Sequence, residues 1–407
     1  MVYDATDGLA DILAKEHVTA YVGFDPTASS LHVGSLLPVL ALKRLQDYGH
    51  SPIAVIGGGT GMIGDPSGKS QERVLLSADQ VDANLAGIKT QLSQFLKFDA
   101  KTNPARIVNN ADWLGIDLMS FLRDVGKHFT VNYMLQKESV SRRLESGDGI
   151  SYTEFSYLLM QAYDFLQLFD EFGCTVQLGG SDQWGNITAG IDLIRKLRAK
   201  KAHGLVWPLM KTASGAKFGK TETGTIWLDP KRTSPFKFYQ FWVNTDDRDV
   251  ETYIKYFSDK APSDIEETLR DEDARNRQRI LAYELTELVH GKEQAARAAK
   301  ASGFLFTESI TLINVEDVLS IFDDAPSSDL PETELSSDGI GVVDLIARVG
   351  LAPSKSEARR LVQSGGVYVN NRRITDPQAK ITREMAIGGR VFVLRKGQKQ
   401  NHLARLA

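Results

Sequence analysis

Along the first 230 residues the apolar positions alternate between two rhythms. Short runs dense in β-branched and aromatic residues predict buried strands at 17–24 (HVTAYVGF), 52–57 (PIAVIG), 105–110 (ARIVNN), 175–180 (TVQLGG) and 204–210 (GLVWPLM). Between them, 36–49 (LLPVLALKRLQDYG) and 184–200 (WGNITAGIDLIRKLRAK) space their apolar residues by three and four, which predicts helices. This alternation is the pattern of an α/β domain built on a parallel sheet, expected to span residues 1–230. A charged, helix-prone stretch over about 115–150 interrupts it and reads as a helical insertion. The apolar FTVNYML (129–135) inside that insertion suits a contact between copies of the chain.

Beyond Pro235 the strand signal fades. FKFYQFWVN (236–244), DVETYIKYFS (249–258), SDIEETLRD (263–271) and ARNRQRILAYELTELVHG (274–291) read as helices, several opened by Ser or Asp caps, and predict an α-helical domain over 231–325. Prolines, serines and acidic residues over 326–340 predict a linker. Order resumes in a small α+β domain, 341–407. There DLIARVG and KSEARRLVQS are helices stopped by glycine, and VYVN-NRRIT predicts a hairpin turning at Asn370-Asn371.

Composition narrows the class. With 407 residues, 42% hydrophobic and 25% charged, the chain is ordinary globular protein; collagen, disorder and a disulfide scaffold are excluded. The single cysteine, Cys174, lies in a strand-like run, as in a reducing compartment. With neither a long apolar run nor the plan of a signal peptide, a cytoplasmic protein without a membrane partner is expected. Charge adds an asymmetry. Residues 341–407 carry 13 Lys and Arg against 4 Asp and Glu, a net of +9, which leaves −13 on the first 340 residues of a chain whose total is −4. A basic end on an acidic body points to a polyanion such as RNA.

Four segments place polar residues at strand ends, where open parallel sheets bind ligands. GFDPTASSLHVGSLLP (23–38) runs from a strand into a helix that Pro38, tolerated in a first turn, places within about four residues upstream of itself. His32, Gly34 and Ser35 then sit at a helix N-terminus, a natural anion site. GGGTGMIGDPSGKSQER (57–73) presents Thr60, Asp65, Lys69 and Arg73; it matches neither a Walker loop nor a GxGxxG fingerprint. LGGSDQWGN (178–186) offers Asp182 and Gln183 at a helix start, and KFGKT (217–221) puts two lysines around a glycine. Singly, each could be an ordinary turn.

Together they are specific. HxGS behind a strand, with KFGKT far downstream, is similar to the paired HIGH and KMSKS signatures of the class I aminoacyl-tRNA synthetases. GFDPTASSLHVG, GDPSGK, TEFSYLLMQAYDF (153–165) and GGSDQWGNI resemble the bacterial tyrosyl-tRNA synthetases. The resemblance runs along essentially the whole chain, including a tail similar to a small RNA-binding domain shared with a ribosomal protein. It implies a Rossmann-like nucleotide-binding domain, then helical and RNA-binding domains, and the reaction of L-tyrosine, ATP and tRNA(Tyr). ATP is implied as a substrate bringing Mg2+ on its own phosphates, with no metal held by the protein.

The resemblance also assigns residues. Thr27, His32, Lys217 and Lys220 are implied as donors to the phosphates, with Ser35 and Thr221 in the same signatures and Lys69 and Arg73 in a mobile basic segment. Asp182 is implied at the ribose, Gly34 and Gly180 along the nucleotide, and Leu209 and Met210 beside adenine. Tyr21 and Asp164 match the readers of the tyrosine hydroxyl; Tyr157, Gln161 and Asp65 match the ammonium neighbours and Gln183 a carboxylate neighbour. Gly23, Asp25, Thr60 and Gln177 are expected around the same pocket. Arg359, Arg360, Arg372 and Arg373 are expected on tRNA phosphates, and a homodimer is implied.

Two departures stand out: Ser35 replaces the second histidine of HIGH, and less sequence than usual precedes Tyr21. Two alternatives remain, the related tryptophan enzyme and a catalytically idle RNA-binding derivative. Tyr21 with Asp164 argues against the first, since indole has no hydroxyl to read; both lysines of KFGKT argue against the second.

Overall fold

The computed structural model describes residues 2–67, 77–145, 147, 149–215, 218–221, 224–304, 315–322, 325–335, 338–397 and 400–407. They divide into two compact units, Met1–Arg232 with Arg248–Arg270, and Thr233–Asp247 with Asp271–Ala407.

The first unit is built on strands β1 (Asp4–Ala5), β2 (Thr19–Phe24), β3 (Ser51–Ile56), β4 (Arg106–Asn109), β5 (Cys174–Gly180) and β6 (His203–Trp207). Their order is β1-β6-β5-β2-β3-β4, parallel throughout except for β1, which caps the β6 edge antiparallel. The five strands read from the sequence are present to within a few residues; only the run at 204–210 stops early, at Trp207 before Pro208. After β2 the chain builds outward through β3 and β4, then crosses back to β5 on the other side of β2. That reversal makes a topological switch point between β2 and β5, where open sheets bind ligands. Tyr21 lies there in register with Ile53 on one side and Gln177 on the other.

The helices are α1 (Leu9–Lys15), α2 (Val33–Asp47), α3 (Ala78–Phe95), α4 (Ala111–Leu114), α5 (Leu118–Asp124), α6 (Val131–Leu135), α7 (Glu138–Glu145), α8 (Tyr152–Phe172) and α9 (Trp184–Arg198). Ser151 caps α8 through the Glu154 N–H, and Gly173 ends it in the left-handed region at φ 62°, so its 21 residues are bounded by local chemistry at both ends. Leu158, Phe165 and Leu168 of this helix join Tyr21, Ile53 and Leu193 in the buried core. Pro38 corrects one expectation: α2 begins at Val33, so the proline stands in its second turn and has no N–H to give the Gly34 carbonyl. The expected insertion is helical, as α5 to α7, but FTVNYML is not all surface. Phe129 and Met134 are core, whereas Val131 and Leu135 are exposed, together with Leu118, Met119 and Leu122.

After the short ribbon β7 (Lys220–Thr221) and β8 (Gly224–Thr225), the helices continue as α10 (Pro235–Val243), α11 (Asp247–Phe257), α12 (Pro262–Leu269), α13 (Ala274–His290), α14 (Lys292–Phe304) and α15 (Val315–Ile321). The expected helical domain over 231–325 is not one block, because 248–270 groups with the sheet. Aromatic packing and charge explain this. Phe218 stacks on Phe257 at 5.3 Å and meets Tyr253 edge-on at 5.0 Å, Arg44 donates to the Tyr256 and Ser258 carbonyls, and Lys43 pairs with Asp259 at 2.8 Å.

The second unit ends in β9 (Ser327–Leu330), β10 (Ile340–Gly341), α16 (Val342–Arg348), α17 (Lys355–Gln363), β11 (Val367–Val369), β12 (Arg372–Ile374), β13 (Lys380–Ile381), β14 (Val391–Lys396) and β15 (Gln400–Leu406). The hairpin of β11 and β12 turns at Asn370 and Asn371, with φ of 48° and 64°, as the Asn-Asn pair predicts. The linker expectation is corrected: β9 lies inside 326–340, pairs parallel with β15 and buries Leu330 to 1% exposure. Its polar SSDL, bracketed by Pro326 and Pro331, has the composition of a loop, and an edge strand tolerates both. Val318 and Phe322 at the α15 end pack against Ile387 and against Val391 and Leu403 of the same sheet.

Candidate active site

A cavity of about 290 Å³ opens at the switch point. It is lined from β2 and its exit by Tyr21, Gly23 and Asp25; from α2 by Gly34 and Pro38; from the turns after β3 by Thr60 and Asp65; from α8 by Tyr157, Gln161 and Asp164; and from β5 and its exit by Gln177, Gly180, Asp182 and Gln183, with Leu209 at one side. All the residues expected around tyrosine are therefore brought together, with four of those expected on the nucleotide. Thr27, His32, Ser35 and Met210 are outside the lining. Lys69, Arg73 and Lys217 lie outside the described residues, and of Lys220 and Thr221 only the backbone is described.

Asp164 is buried in the cavity wall, 4% exposed. Burial pushes its carboxyl up to about 7, against the pull of two donors, Asn110 Nδ2 at 2.9 Å and Trp113 Nε1 at 2.7 Å. Asn110 cannot turn its amide over: its Oδ1 accepts from the Gly59 and Thr60 N–H groups, while its Nδ2 serves both Asp164 and the Thr60 hydroxyl. Beside Asp164 the Tyr21 hydroxyl is buried with no hydrogen-bond partner among the described residues, and so is Gln177 Oε1. Burial first, then the charge of Asp164, holds the Tyr21 phenol well above its ordinary value, so it stays a proton donor. A buried polar atom without a partner is costly, and a ligand hydroxyl placed between these two groups relieves it.

At the other end of the cavity Asp65 Oδ1 accepts from the Ser67 N–H at 2.9 Å and Oδ2 from Gln183 Nε2 at 2.7 Å. Gln161 Nε2 in turn donates to Gln183 Oε1 at 3.1 Å. The carboxylates of Asp65 and Asp164 are thus committed to N–H donors, three amides and the Trp113 indole. Among the described residues no group of three or more His, Cys, Asp or Glu side chains is placed to hold a metal ion.

His32 caps α2, its Nδ1 accepting from the Gly34 N–H at 2.9 Å. Gly34 suits this cap, since a Cβ there would fall 2.6 Å from His32 Cε1. The chain just after KFGKT is also stitched to the first signature segment: Val33 N–H donates to the Ile226 carbonyl and Leu228 N–H to the Leu31 carbonyl, at 3.0 and 2.9 Å. Gly219 of KFGKT, at φ +80°, packs so closely that a Cβ would lie 2.8 Å from Val33 Cγ2.

Sequence reasoning passed over Asn110, Trp113 and Asn186. The Asn-Asn ending of the ARIVNN strand was the available signal for the first, since strand ends face the ligand.

A family model described as tRNA synthetases class I (W and Y) matches residues 13–307, and one described as Tyrosine–tRNA ligase SYY-like C-terminal domain matches 322–404. The Tyrosine–tRNA ligase of Roseiflexus castenholzii is 54% identical across 100% of this chain and 97% of its own. That of Geobacillus stearothermophilus is 50% identical across 98% and 96%. The chain belongs to the tyrosyl-tRNA synthetases of class I. Among solved structures, a C-terminally truncated Aspergillus nidulans mitochondrial tyrosyl-tRNA synthetase covers 75% of this chain and 91% of its own at 33% identity, with a TM-score of 0.67. A tryptophanyl-tRNA synthetase from Encephalitozoon cuniculi covers 79% of this chain and 88% of its own at 15% identity and TM-score 0.51, which shows a shared fold alone. In this tyrosyl-tRNA synthetase Ser35 is the third residue of α2, half-buried, its N–H donating to the His32 carbonyl at 2.7 Å.

Proposed function

We propose that the cavity activates L-tyrosine with ATP and that the tyrosyl group then passes to the 3′ end of tRNA(Tyr). One oxygen of the tyrosine carboxylate attacks the α-phosphorus of ATP, and the bond to the departing pyrophosphate breaks. The protein's part is to align the reactants and to supply donors where charge builds. The observation that carries the reading is the buried pair of Tyr21 hydroxyl and Asp164, which fits a phenol and nothing lacking a hydroxyl. Tyr157, Gln161 and Asp65 then face the ammonium group, Gln183 the carboxylate, and Gly34, Gly180, Asp182, Leu209 and Met210 the nucleoside. Thr27, His32, Lys69, Arg73, Lys217, Lys220 and Thr221 serve the phosphates. Asp65 and Asp164 are engaged by N–H donors, and Mg2+ would come with the ATP phosphates, whose charge it would neutralise.

Arg359, Arg360 and Arg372, exposed on α17 and β12, would take tRNA phosphates. Arg373 is also exposed, but its guanidinium donates to the Gly365 carbonyl at 2.7 Å, so its first task is to close the end of α17. The apolar surface of α5 and α6, with Met119 at 74% exposure, is the face we assign to a homodimer. Met119→Glu with Val131→Glu is expected to shift the chain from dimer to monomer in sedimentation; an unchanged mass places the interface elsewhere. Among the described residues no helix is long and apolar enough to cross a membrane. We place the reaction in the cytoplasm with its tRNA.

Tyrosine-dependent exchange of labelled pyrophosphate into ATP tests the reading directly. Exchange with tryptophan, or tRNA binding without exchange, would sink it. Because β9 belongs to the C-terminal sheet and α15 packs on it, the informative truncation removes 315–407. It should keep exchange and lower tRNA charging by at least about tenfold through lost phosphate contacts.

A further inference from the structure

We propose that Asn186, a residue with no part in the reading above, is the second anchor of the Gln161 amide and thereby keeps an acceptor turned to the substrate's ammonium group. The proposal rests on that reading. Asn186 is 6% exposed in the first turn of α9. Its Nδ2 donates to Gln161 Oε1 at 2.9 Å, with longer contacts to Gln183 Oε1 at 3.2 Å and the Ser67 hydroxyl at 3.4 Å.

The direction of the chain follows from its fixed end. A carboxylate accepts and does not donate, so Gln183 must give Asp65 its Nε2. Gln183 Oε1 is then an acceptor facing both Gln161 and Asn186, and each must present it an N–H. Gln161 spends its Nε2 in this way, which leaves Oε1 turned to Asn186 and to the cavity that Gln161 lines. Turning Gln161 over would set its Nε2 against Asn186 Nδ2 and its Oε1 against Gln183 Oε1, two like-on-like contacts in a buried place. Donors therefore run from Asn186 through Gln161 and Gln183 to Asp65. An amide carbonyl accepts twice, and one acceptor position of Gln161 Oε1 remains for an ammonium N–H. Remove Asn186 and one of the two contacts that set this orientation is gone, leaving only the bond from Gln161 Nε2 to Gln183 Oε1 to oppose a turn of the amide. It can then offer the ammonium group its own NH2.

Asn186 is thus a positioning residue, tested on the full chain with three ligands that share the phenol: tyrosine, tyramine, which keeps the ammonium and lacks the carboxylate, and 3-(4-hydroxyphenyl)propionate, which lacks the ammonium. Asn186→Ala is expected to weaken tyrosine and tyramine about tenfold, the effect of one hydrogen bond to a charged group. The propionate and the KM for ATP should stay within about twofold. Asn186→Leu, closer in volume, should behave the same and guards against an effect of the void. In a Gln161→Ala background, Asn186→Ala should add little further loss of tyramine binding, since the first change has removed the group that the second acts through. Equal weakening of all three ligands, no weakening of any, or full additivity overturns the proposal. A wild-type chain that binds neither tyrosine nor tyramine overturns the reading of the cavity itself, and is distinguished by needing no variant.

Discussion

Asp164→Asn is expected to lower kcat/KM for tyrosine in the exchange reaction by about a thousandfold. Two losses combine. The charge-assisted bond to the substrate phenol contributes about 2 kcal/mol, and a protein donor left facing an NH2 costs about 2 kcal/mol more, together about three decades. The second loss follows from Asn110 and Trp113, which both aim N–H groups at this side chain. An asparagine has one oxygen for the two of them, and Asn110 is held by the Gly59 and Thr60 backbone and cannot invert. A mild effect on tyrosine with intact discrimination against phenylalanine would show that the hydroxyl is read elsewhere.

The same carboxyl has a signature in stability. Its value in the folded chain, about 7, lies above the ordinary 3.8, so between about pH 4 and 7 the folded state binds the proton that the unfolded state releases. Stability is therefore greatest below the lower value and is lost as pH rises through the upper one, by on the order of 4 kcal/mol. Buried histidines work in the opposite sense: burial lowers the values of His50, His203 and His402, so they favour the folded state as pH rises. The measurement that isolates Asp164 is the difference between wild type and Asp164→Asn in denaturant without tyrosine. That difference should change across pH 4 to 7 and flatten above it. A constant difference would mean that Asp164 is ionised throughout.

The second large effect is expected at His32. Because Nδ1 accepts from the Gly34 N–H, the neutral ring carries its proton on Nε2, and the cap itself selects the tautomer that can donate to a phosphate. His32→Ala should slow adenylate formation by about 10²–10³, as loss of one preorganised donor does, and weaken the start of α2 by about 1 kcal/mol. Tyrosine affinity should stay within about twofold, since His32 is outside the cavity lining. His32→Asn keeps a capping oxygen and an N–H donor and should recover part of the rate. Equal losses in rate and tyrosine affinity would mean that the histidine only holds the helix.

Much of this was legible in the sequence because the signals are local. β-branched runs gave the strands within a few residues, and two asparagines that tolerate positive φ gave the β11–β12 turn. Pro38 misled because its rule concerns an isolated helix, whereas α2 is buried along Leu36, Val39 and Leu40 and bears one missing bond. The grouping of 248–270 with the sheet depends on Phe218 meeting Tyr253 and Phe257, contacts across more than thirty residues that no local period records. The site divides likewise. Tyr21, Asp65, Gln161 and Asp164 are found by resemblance at strand ends and on one helix face, but what holds Asp164 comes from residues 51 and 54 positions away. Only the folded chain shows that Asn110 and Trp113 are its partners.

The parallel pairing of β9 with β15 also bears on the order in which the chain can fold during synthesis. Leu330 is backed by Leu406, its partner in register, and the Glu332 and Ala407 backbones are bonded to one another. A ribosome working from the N-terminus makes β9 about seventy residues before the strand it needs, so this edge stays open until β15 has emerged. Its polar, proline-bracketed sequence suits that wait. A strand that must stand unpaired for so long is safest when it has little reason to pair with anything else.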